Sequence, residues 1–559
     1  MPLRLLFTVM LLLGCFYGLG SYGLLDNNEG MYASIARSMS HGGSFIIPHL
    51  NGVSYFEKPP LLYWLSALSM ALFGDNETAA RLPVSLAMAG LAVAMALFLR
   101  RQGNERAGLI AGLMLVTSPV ILIIGRTVYC DMLLTATMSI ALLAFYRWYV
   151  ESKLGWLILC HAMIALAVLS KGFIALLLAG GVAFCFLLME NAGRRMRQTF
   201  DPRAVAVFLL IAAPWHIAAT MQADQFAWFY FINEHIMRFV GAREPHDYYM
   251  GPLWYYLPRV LLYLFPWSLL APILWRLTRY PHALAHEHAG DKTLNRFLMI
   301  WFLLVFIFFS LARAKANYYM IVAMPPLILL MALRLDAILR RPYAAKLWRW
   351  GALALVVTFI VIASVPIVLH FKAEDLAFLD AIYRSAKLAD IALPLAITLA
   401  SLPFFWYWRR LPEANLFLLC LPSVILLLLL IQAVRFGEEN ISQKQAALYL
   451  ASYADQGKLG IYEDFEEISA LAFYVPAPLT IIDSASSDLA FGMKQGQRPE
   501  LFPTLTRWLG QHRDDNAVLL VRTHYLDALQ RRLGQLPHAP SFCIQKQFAV
   551  VTILAHCSH

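Results

Sequence analysis

The sequence predicts an all-α polytopic membrane bundle of about 13 transmembrane helices, followed by a C-terminal α/β domain. Three observations carry this. Hydrophobic residues make up 60% of the 559 and charged residues only 14%, whereas charged residues are about a quarter of a soluble chain. Apolar runs of spanning length recur down the first four-fifths of the sequence. After Glu438 the composition then shifts, with more charge, Gly and Pro and with apolar runs shortened to strand length.

A span needs about 20 mostly apolar residues. Such runs lie near 4–24, 78–99, 107–125, 132–150, 155–170, 172–190, 204–221, 257–275, 296–312, 319–334, 349–369, 388–408 and 415–435. The run Leu61 to Gly74 is shorter and is expected to lie along the membrane surface. Met1 to Gly23 has the small residues of a signal peptide near its end, but its apolar run is long for one and the charge pattern needs a crossing there. It reads as the first membrane helix. Residues 1–436 are thus expected to form the membrane domain, with a large first polar loop at 24–77, and residues 437–559 a soluble domain.

Counting from a cytoplasmic N-terminus, one set of short loops collects Arg100, Arg101 and Arg106, then Arg194, Arg195 and Arg197, then Arg340, Arg341 and Lys346. That bias orients the chain by the positive-inside rule. It also accounts for the net charge of +10 and, since the cations are spread over many loops, excludes a nucleic-acid partner. The polar loop 24–77, residues 222–256 and everything after about 436 then fall on the extracytoplasmic face.

In the C-terminal domain, strands are expected at Leu459 to Tyr462, Ala472 to Val475, Leu479 to Ile482, Val518 to Arg522 and Phe548 to Leu554, with helices over 441–454 and 525–533. Five of the seven cysteines lie in or beside membrane runs. The other two, Cys543 and Cys557, lie where a disulfide would persist. The sequence fits two unpaired cysteines there equally well.

Ionisable residues at membrane edges are costly and point to function; interfacial anchoring is the ordinary alternative. Asp26 and Glu29 precede the helical pattern Met31, Ile35, Met39. There they suit the positive helix end, or they converge with Asp131 into an acidic pocket for an acceptor hydroxyl, an amine or a divalent cation. Glu57 and Lys58, fixed by Pro59 and Pro60, present an acid and a base on one rigid turn. The basic side chains Lys58, Arg126, Arg243 and Lys315 suit a lipid-linked phosphate, which arginine grips bidentately and lysine as a point charge. Glu57 with His235 and His246 is the candidate metal set, unsupported by any ligand spacing such as HxxxH or CxxC.

The ordered motifs NNEGMYASIARSM, HLNGVSYFEKPPLLYW, GRTVYCDMLL, LSKGFIALLL, FINEHIMRF and FFSLARAKANYYMIVAMPP resemble those of the lipid-linked-sugar glycosyltransferases of the GT-C class. The likeness is in particular to bacterial aminoarabinose transferase-like members related to protein O-mannosyltransferases. The resemblance implies an inner-membrane enzyme that takes a sugar from an undecaprenyl-phosphate carrier and transfers it, with inversion, to a periplasmic or outer-leaflet acceptor: a glycolipid such as lipid A, a glycan or a protein. The family's first-loop acidic pair falls on Asn28 and Glu29 ahead of Tyr32, so the first acid is here an amide, with Asp26 two residues earlier. Its second acid falls on Asp131, its phosphate-contacting lysine on Lys58 and a loop arginine on Arg243. A transporter or flippase of a lipid-linked or anionic substrate is the rival reading; it lacks support from an inverted repeat. A scaffold that recruits partners through the C-terminal domain would leave the membrane-edge acids without a role.

Overall fold

A computed structural model of the chain describes residues 3–245, 249–272, 274, 289–340, 349–350, 353, 356–357, 412–454, 458–463, 465–475, 478–512, 517–536 and 540–557. Among these, seven helices are long and apolar enough to cross a membrane: Glu77–Arg101, Cys130–Glu151, Leu154–Lys171, Pro202–Gln222, Lys292–Leu311, Asn317–Leu339 and Leu416–Phe436. Leu3–Phe16, Leu61–Phe73 and Ile174–Met189 are apolar but shorter. Seven of the thirteen expected runs thus form helices of that length among the described residues. The runs expected at 349–369 and 388–408 lie almost wholly outside them.

Two further expected runs are broken, and prolines mark the breaks. The run 107–125 divides into Glu105–Val116 and Pro119–Ile124, because Pro119 has no backbone N–H to continue the first helix. The run 257–275 divides into Tyr256–Tyr263 and a 3₁₀ turn at Trp267–Leu270, separated at Pro266. Helix starts follow local chemistry. Asn76 accepts a hydrogen bond from the Ala79 N–H at 2.9 Å, and Asp201 accepts one from Arg203 at 3.0 Å, each satisfying an otherwise orphaned donor.

Cys130–Glu151 is the central helix, buried along most of its length and packed against Glu77–Arg101 and Leu154–Lys171. Lipid is as apolar as leucine, so van der Waals fit rather than water exclusion favours such packing within a bilayer. The first polar loop is structured throughout. Helix Asn28–Ser40 leads to a hairpin of two short strands, β1 (His49–Leu50) and β2 (Val53–Ser54), and then to helix Leu61–Phe73.

The C-terminal segment carries a five-stranded mixed sheet of β3 (Leu459–Tyr462), β4 (Thr480–Ile482), β5 (Val518–Arg522), β6 (Phe542–Gln547) and β7 (Val551–His556), in the order β4-β3-β5-β7-β6. β3 lies parallel to β4 and β5, with Ile461 opposite Ile481 and Leu520; β7 runs antiparallel to β5 and β6. Alternate residues serve opposite faces: Leu519 and Val521 pack with Trp508, Leu529 and Leu533, whereas Val518 and Leu520 join the main core. With both faces covered, β3 and β5 read as unbroken apolar runs. The strand expected at Ala472 to Val475 is instead helix Leu471–Tyr474; its LAFY segment has no β-branched residue to favour a strand. β6 was not expected, and its exposed side chains explain why its sequence gives no core-facing alternation. Cys543 and Cys557 form a disulfide across the edge of this hairpin, with Cα atoms 5.1 Å apart.

Candidate functional site

Asp131 occupies the first turn of Cys130–Glu151, and Lys171 ends the antiparallel neighbour Leu154–Lys171. A carboxylate at a helix N-terminus and a cation at a C-terminus each suit the local helix dipole. The two side chains meet in an ion pair in which Asp131 is buried and Lys171 partly so. Lys171 also lies over the rings of Tyr319 and Tyr318, 4.4 and 5.3 Å from their centroids. The helix stops at Gly172, whose φ of 89° suits glycine; a Cβ there would lie 2.2 Å from His235 Nε2.

A second charged group assembles where the first loop meets the π-helical turn Trp228–Met237. Arg243 pairs with Glu57 at 2.6 Å and with Glu234. Arg238 pairs with Glu234 at 2.8 Å, and Lys58 lies 3.5 Å from Glu57 and 3.8 Å from Glu234. Burial alone would raise the pKa of Glu57, but Arg243, Lys58 and Arg238 outweigh it and hold the carboxyl below its ordinary value. Glu57 is therefore ionised at neutral pH.

These groups face a cavity of about 700 Å³. Among the predicted site residues, Lys58, Glu57, Asp131 and His235 line it, as do Asn28 and Tyr32. Tyr32 donates a hydrogen bond to Asn28 Oδ1 at 3.1 Å. The walls also include Lys171, Glu234, Arg238 and Tyr318, with Glu466, Glu467 and Asp488 contributed by the C-terminal segment.

The other predicted site residues stand elsewhere. Glu29 is sealed from solvent in a double hydrogen bond with Arg81, at 2.9 and 2.8 Å, and accepts backbone N–H bonds from Leu25 and Val128. Asp26 accepts from Gln443 and from the Ala470 N–H, each at 3.1 Å. Arg126 donates to the carbonyls of Gly14 and Tyr17. Lys315 donates to the carbonyls of Phe309, Ser310 and Ala312, capping the end of helix Lys292–Leu311. Arg243 reaches the site only through Glu57 and Glu234. None of these five is a lining residue.

The metal set does not form as expected. Among the described residues no group of three or more His, Cys, Asp and Glu could hold an ion. Glu57 is met by cations, and His246 lies outside the described residues. Both ring nitrogens of His235 are engaged: Nδ1 donates to the Tyr230 carbonyl at 2.6 Å, and Nε2 accepts from the Phe173 N–H at 3.0 Å. Burial lowers its pKa and favours that neutral form.

Lys171, Glu234 and Arg238 lie in the motifs LSKGFIALLL and FINEHIMRF but are not among the predicted site residues. The signal for Lys171 was a single cation between two apolar runs in LSKGFIALLL. No local signal marks Glu466 or Asp488.

The model of the dolichyl-phosphate-mannose-protein mannosyltransferase family matches residues 57–217. The chain is 28% identical over 530 residues to an undecaprenyl phosphate-alpha-4-amino-4-deoxy-L-arabinose arabinosyl transferase of Pseudomonas paraeruginosa, covering 92% of each chain. It is 31% identical over 366 residues to the transferase of that name from Aeromonas hydrophila, covering 63% of this chain and 64% of the other. Its fold matches the crystal structure of ArnT from Cupriavidus metallidurans bound to undecaprenyl phosphate, with a TM-score of 0.83 at 23% identity over 99% of this chain and 97% of that one. The apo structure of the same protein matches with a TM-score of 0.81. The chain is thus similar along most of its length to the aminoarabinose transferases and over residues 57–217 to the protein mannosyltransferase family, and it shares the fold of ArnT.

Proposed function

We propose that this chain is an integral-membrane glycosyltransferase that moves a sugar from a polyprenyl-phosphate carrier to a lipid acceptor, with aminoarabinose and lipid A as the first pair to test. The observation that carries this reading is the cavity itself. It sets Lys58, Lys171 and Arg238 beside Glu57, Asp131 and Glu234, as the departure of a phosphate and the approach of a nucleophile require. The relatives that match along 92% of the chain are named for both donor and sugar, which supports that pair.

The transfer breaks the bond between the anomeric carbon and the carrier phosphate oxygen, and the phosphate leaves with the electron pair. Lys58, with Arg238 nearby, stabilises that charge as it develops. The acceptor oxygen bonds to the anomeric carbon from the opposite side, in one inverting step. Asp131, held by Lys171, takes the proton of a hydroxyl acceptor; an already ionised phosphate acceptor needs no base. In this account Asp26, Glu29, Arg126 and Lys315 hold the scaffold, and Arg243 orients Glu57.

We place residues 1–436 in the bacterial inner membrane as the catalytic domain, with its first loop and residues 437–559 on the periplasmic side. The positive-inside pattern and the Cys543–Cys557 disulfide, of a kind that persists in oxidising compartments, support that orientation. Mass spectrometry of lipid A and envelope glycans tests the whole reading, in a deletion strain and in that strain complemented with wild type or Asp131→Asn. Loss of one discrete sugar mass, restored by wild type alone, is expected. No change in any strain under several growth conditions would refute it.

A further inference from the structure

Two arms remote in sequence bring charge to one side of the cavity: Glu57 and Lys58 from the first loop, Glu234 and Arg238 from the π-helical turn. Lys58, 3.8 Å from Glu234, links them. An ion pair between long side chains holds such a separation loosely, because both partners keep rotamer freedom. A stiffer contact lies beside the charges, and it is aromatic.

Phe56 immediately precedes Glu57 and is buried, as are Phe226, just before the π-helical turn, and Phe229 within it. Phe491, on helix Ala490–Lys494 of the C-terminal segment, meets both arms. Its ring centroid lies 5.0 Å from that of Phe56, at 76°, and 4.7 Å from that of Phe229, at 56°. Phe56 and Phe226 also meet directly, at 5.1 Å and 75°. Such edge-on and tilted pairs are the arrangements that ring quadrupoles favour. The helix that carries Phe491 is itself held at both ends. Glu466 Oε1 accepts from Ser486 Oγ at 2.6 Å and from the Asp488 N–H at 3.0 Å, which fixes the turn before it. After it, Gln497 Oε1 accepts from the Ser54 N–H at 2.9 Å. Within it, a Cβ on Gly492 would stand 2.5 Å from Val53 Cβ. The helix thus lies against β2, which runs through Tyr55 and Phe56 into the Glu57–Lys58 turn.

We propose that Phe491 is a positioning residue for the transfer: wedged between Phe56 and Phe229, it sets Lys58 relative to the turn of Glu234 and Arg238. It so aims the group that stabilises the departing phosphate. This rests on the transferase reading above and deepens it, because it gives the C-terminal segment a part in the reaction through packing. Phe491 is not a lining residue of the cavity, so it acts through Lys58 and not on substrate.

The test uses the full-length protein in nanodiscs, with polyprenyl-phosphate aminoarabinose as donor and lipid A as acceptor. Phe491→Ala should lower kcat about 10- to 100-fold, the cost of an ångström-scale misplacement. The donor KM should stay within about twofold, since the interaction that Phe491 aims is made in the transition state. Phe491→Leu, which keeps most of the volume, should recover most of the rate. Combined with Lys58→Ala, Phe491→Ala should add less than about twofold, whereas a mere loss of folded enzyme would multiply the two losses. Gln497→Ala, which opens no void in the aromatic group, should lower kcat in the same non-additive way, and Gln497→Glu, which still accepts from Ser54, should retain it. An unchanged kcat in Phe491→Ala, or a loss that multiplies with that of Lys58→Ala, would overturn the proposal and leave the transferase reading standing. If Phe491→Ala yields no folded protein, equal rates in the two Gln497 variants would overturn it. A wild type that transfers no sugar would overturn both.

Discussion

Glu29 shows how much the partner of a charge decides its role. Beside an apolar pattern in the first loop it has the look of a catalytic acid, yet both its oxygens are committed to Arg81, itself fully buried and bonded to the carbonyls of Leu19, Tyr22 and Gly23. Removing one member of such a pair leaves an uncompensated buried charge, at a cost of about 3–5 kcal/mol. Glu29→Gln and Arg81→Met should accordingly lower the thermal unfolding midpoint in detergent markedly, and any molecules that remain folded should retain turnover. A Glu29→Gln protein with unchanged unfolding and no activity would return Glu29 to the reaction. Lys58→Ala should do the opposite, cutting kcat at least about 100-fold, as the loss of one oxyanion-stabilising donor does, with little change in unfolding. Loss of stability without loss of turnover would remove Lys58 from the reaction.

Between elements, two titrating groups sit at joints. His235 links the π-helical turn to the Lys171–Phe173 turn by accepting from the Phe173 N–H, which only neutral imidazole can do. Burial depresses its pKa, so its contribution to stability is complete above about 6.5, the ordinary histidine value, and is lost as pH falls through the lower folded value. Turnover should therefore fall on an acid limb below about 6.5, and His235→Gln should shift or remove that limb; an unaltered limb would assign it to another group. Asp26 behaves with the opposite sign. Burial raises its pKa to about 7, against the opposing pull of Gln443 and Ala470. Its protonated form thus favours the docked state: the contribution is complete below 3.8 and is lost as pH rises through about 7. Protection factors over residues 23–30, which remove the intrinsic pH dependence of exchange, should fall between pH 6 and 8 in wild type and stay flat in Asp26→Asn; an equal fall in both would exclude Asp26 as the source.

At the scale of the whole molecule, the C-terminal segment and the first loop are closed onto each other along a seam. Leu24 N–H donates to Tyr474 Oη at 2.7 Å, Arg37 donates to the carbonyls of Phe473 and Val475, and Asn51 exchanges hydrogen bonds with Leu479. Gly30 lies so close to this seam that a Cβ would stand 2.3 Å from Ala470 Cα. Gly30→Ala should wedge the two parts apart and reduce transfer by an order of magnitude or more, on the roughly 1–3 kcal/mol scale of an overpacked core. Full activity with unaltered protease resistance across 437–475 would show that the cavity does not need the seam closed.

The sequence by itself determined that this is a mostly helical chain with helices long and apolar enough to cross a membrane, where several of them begin, and which loops hold its ionisable groups. Those features depend on local composition, on residues such as Asn76 and Pro119, and on apolar runs of membrane thickness. It also singled out Asp131, Glu57 and Lys58, each in a short motif, and all three line the cavity. Only the tertiary structure decided which charges are spent on the scaffold and which face the cavity. Glu29 meets Arg81 across 52 positions and Asp26 meets Gln443 across 417, and no local pattern encodes such approaches. The same holds for Glu466 and Asp488: their positions in the chain are ordinary surface sequence, and they reach the cavity only because the C-terminal segment docks on the first loop. Helix propensity and hydropathy act over a few residues, whereas the cost of burying a charge is settled by whichever group arrives beside it in the fold.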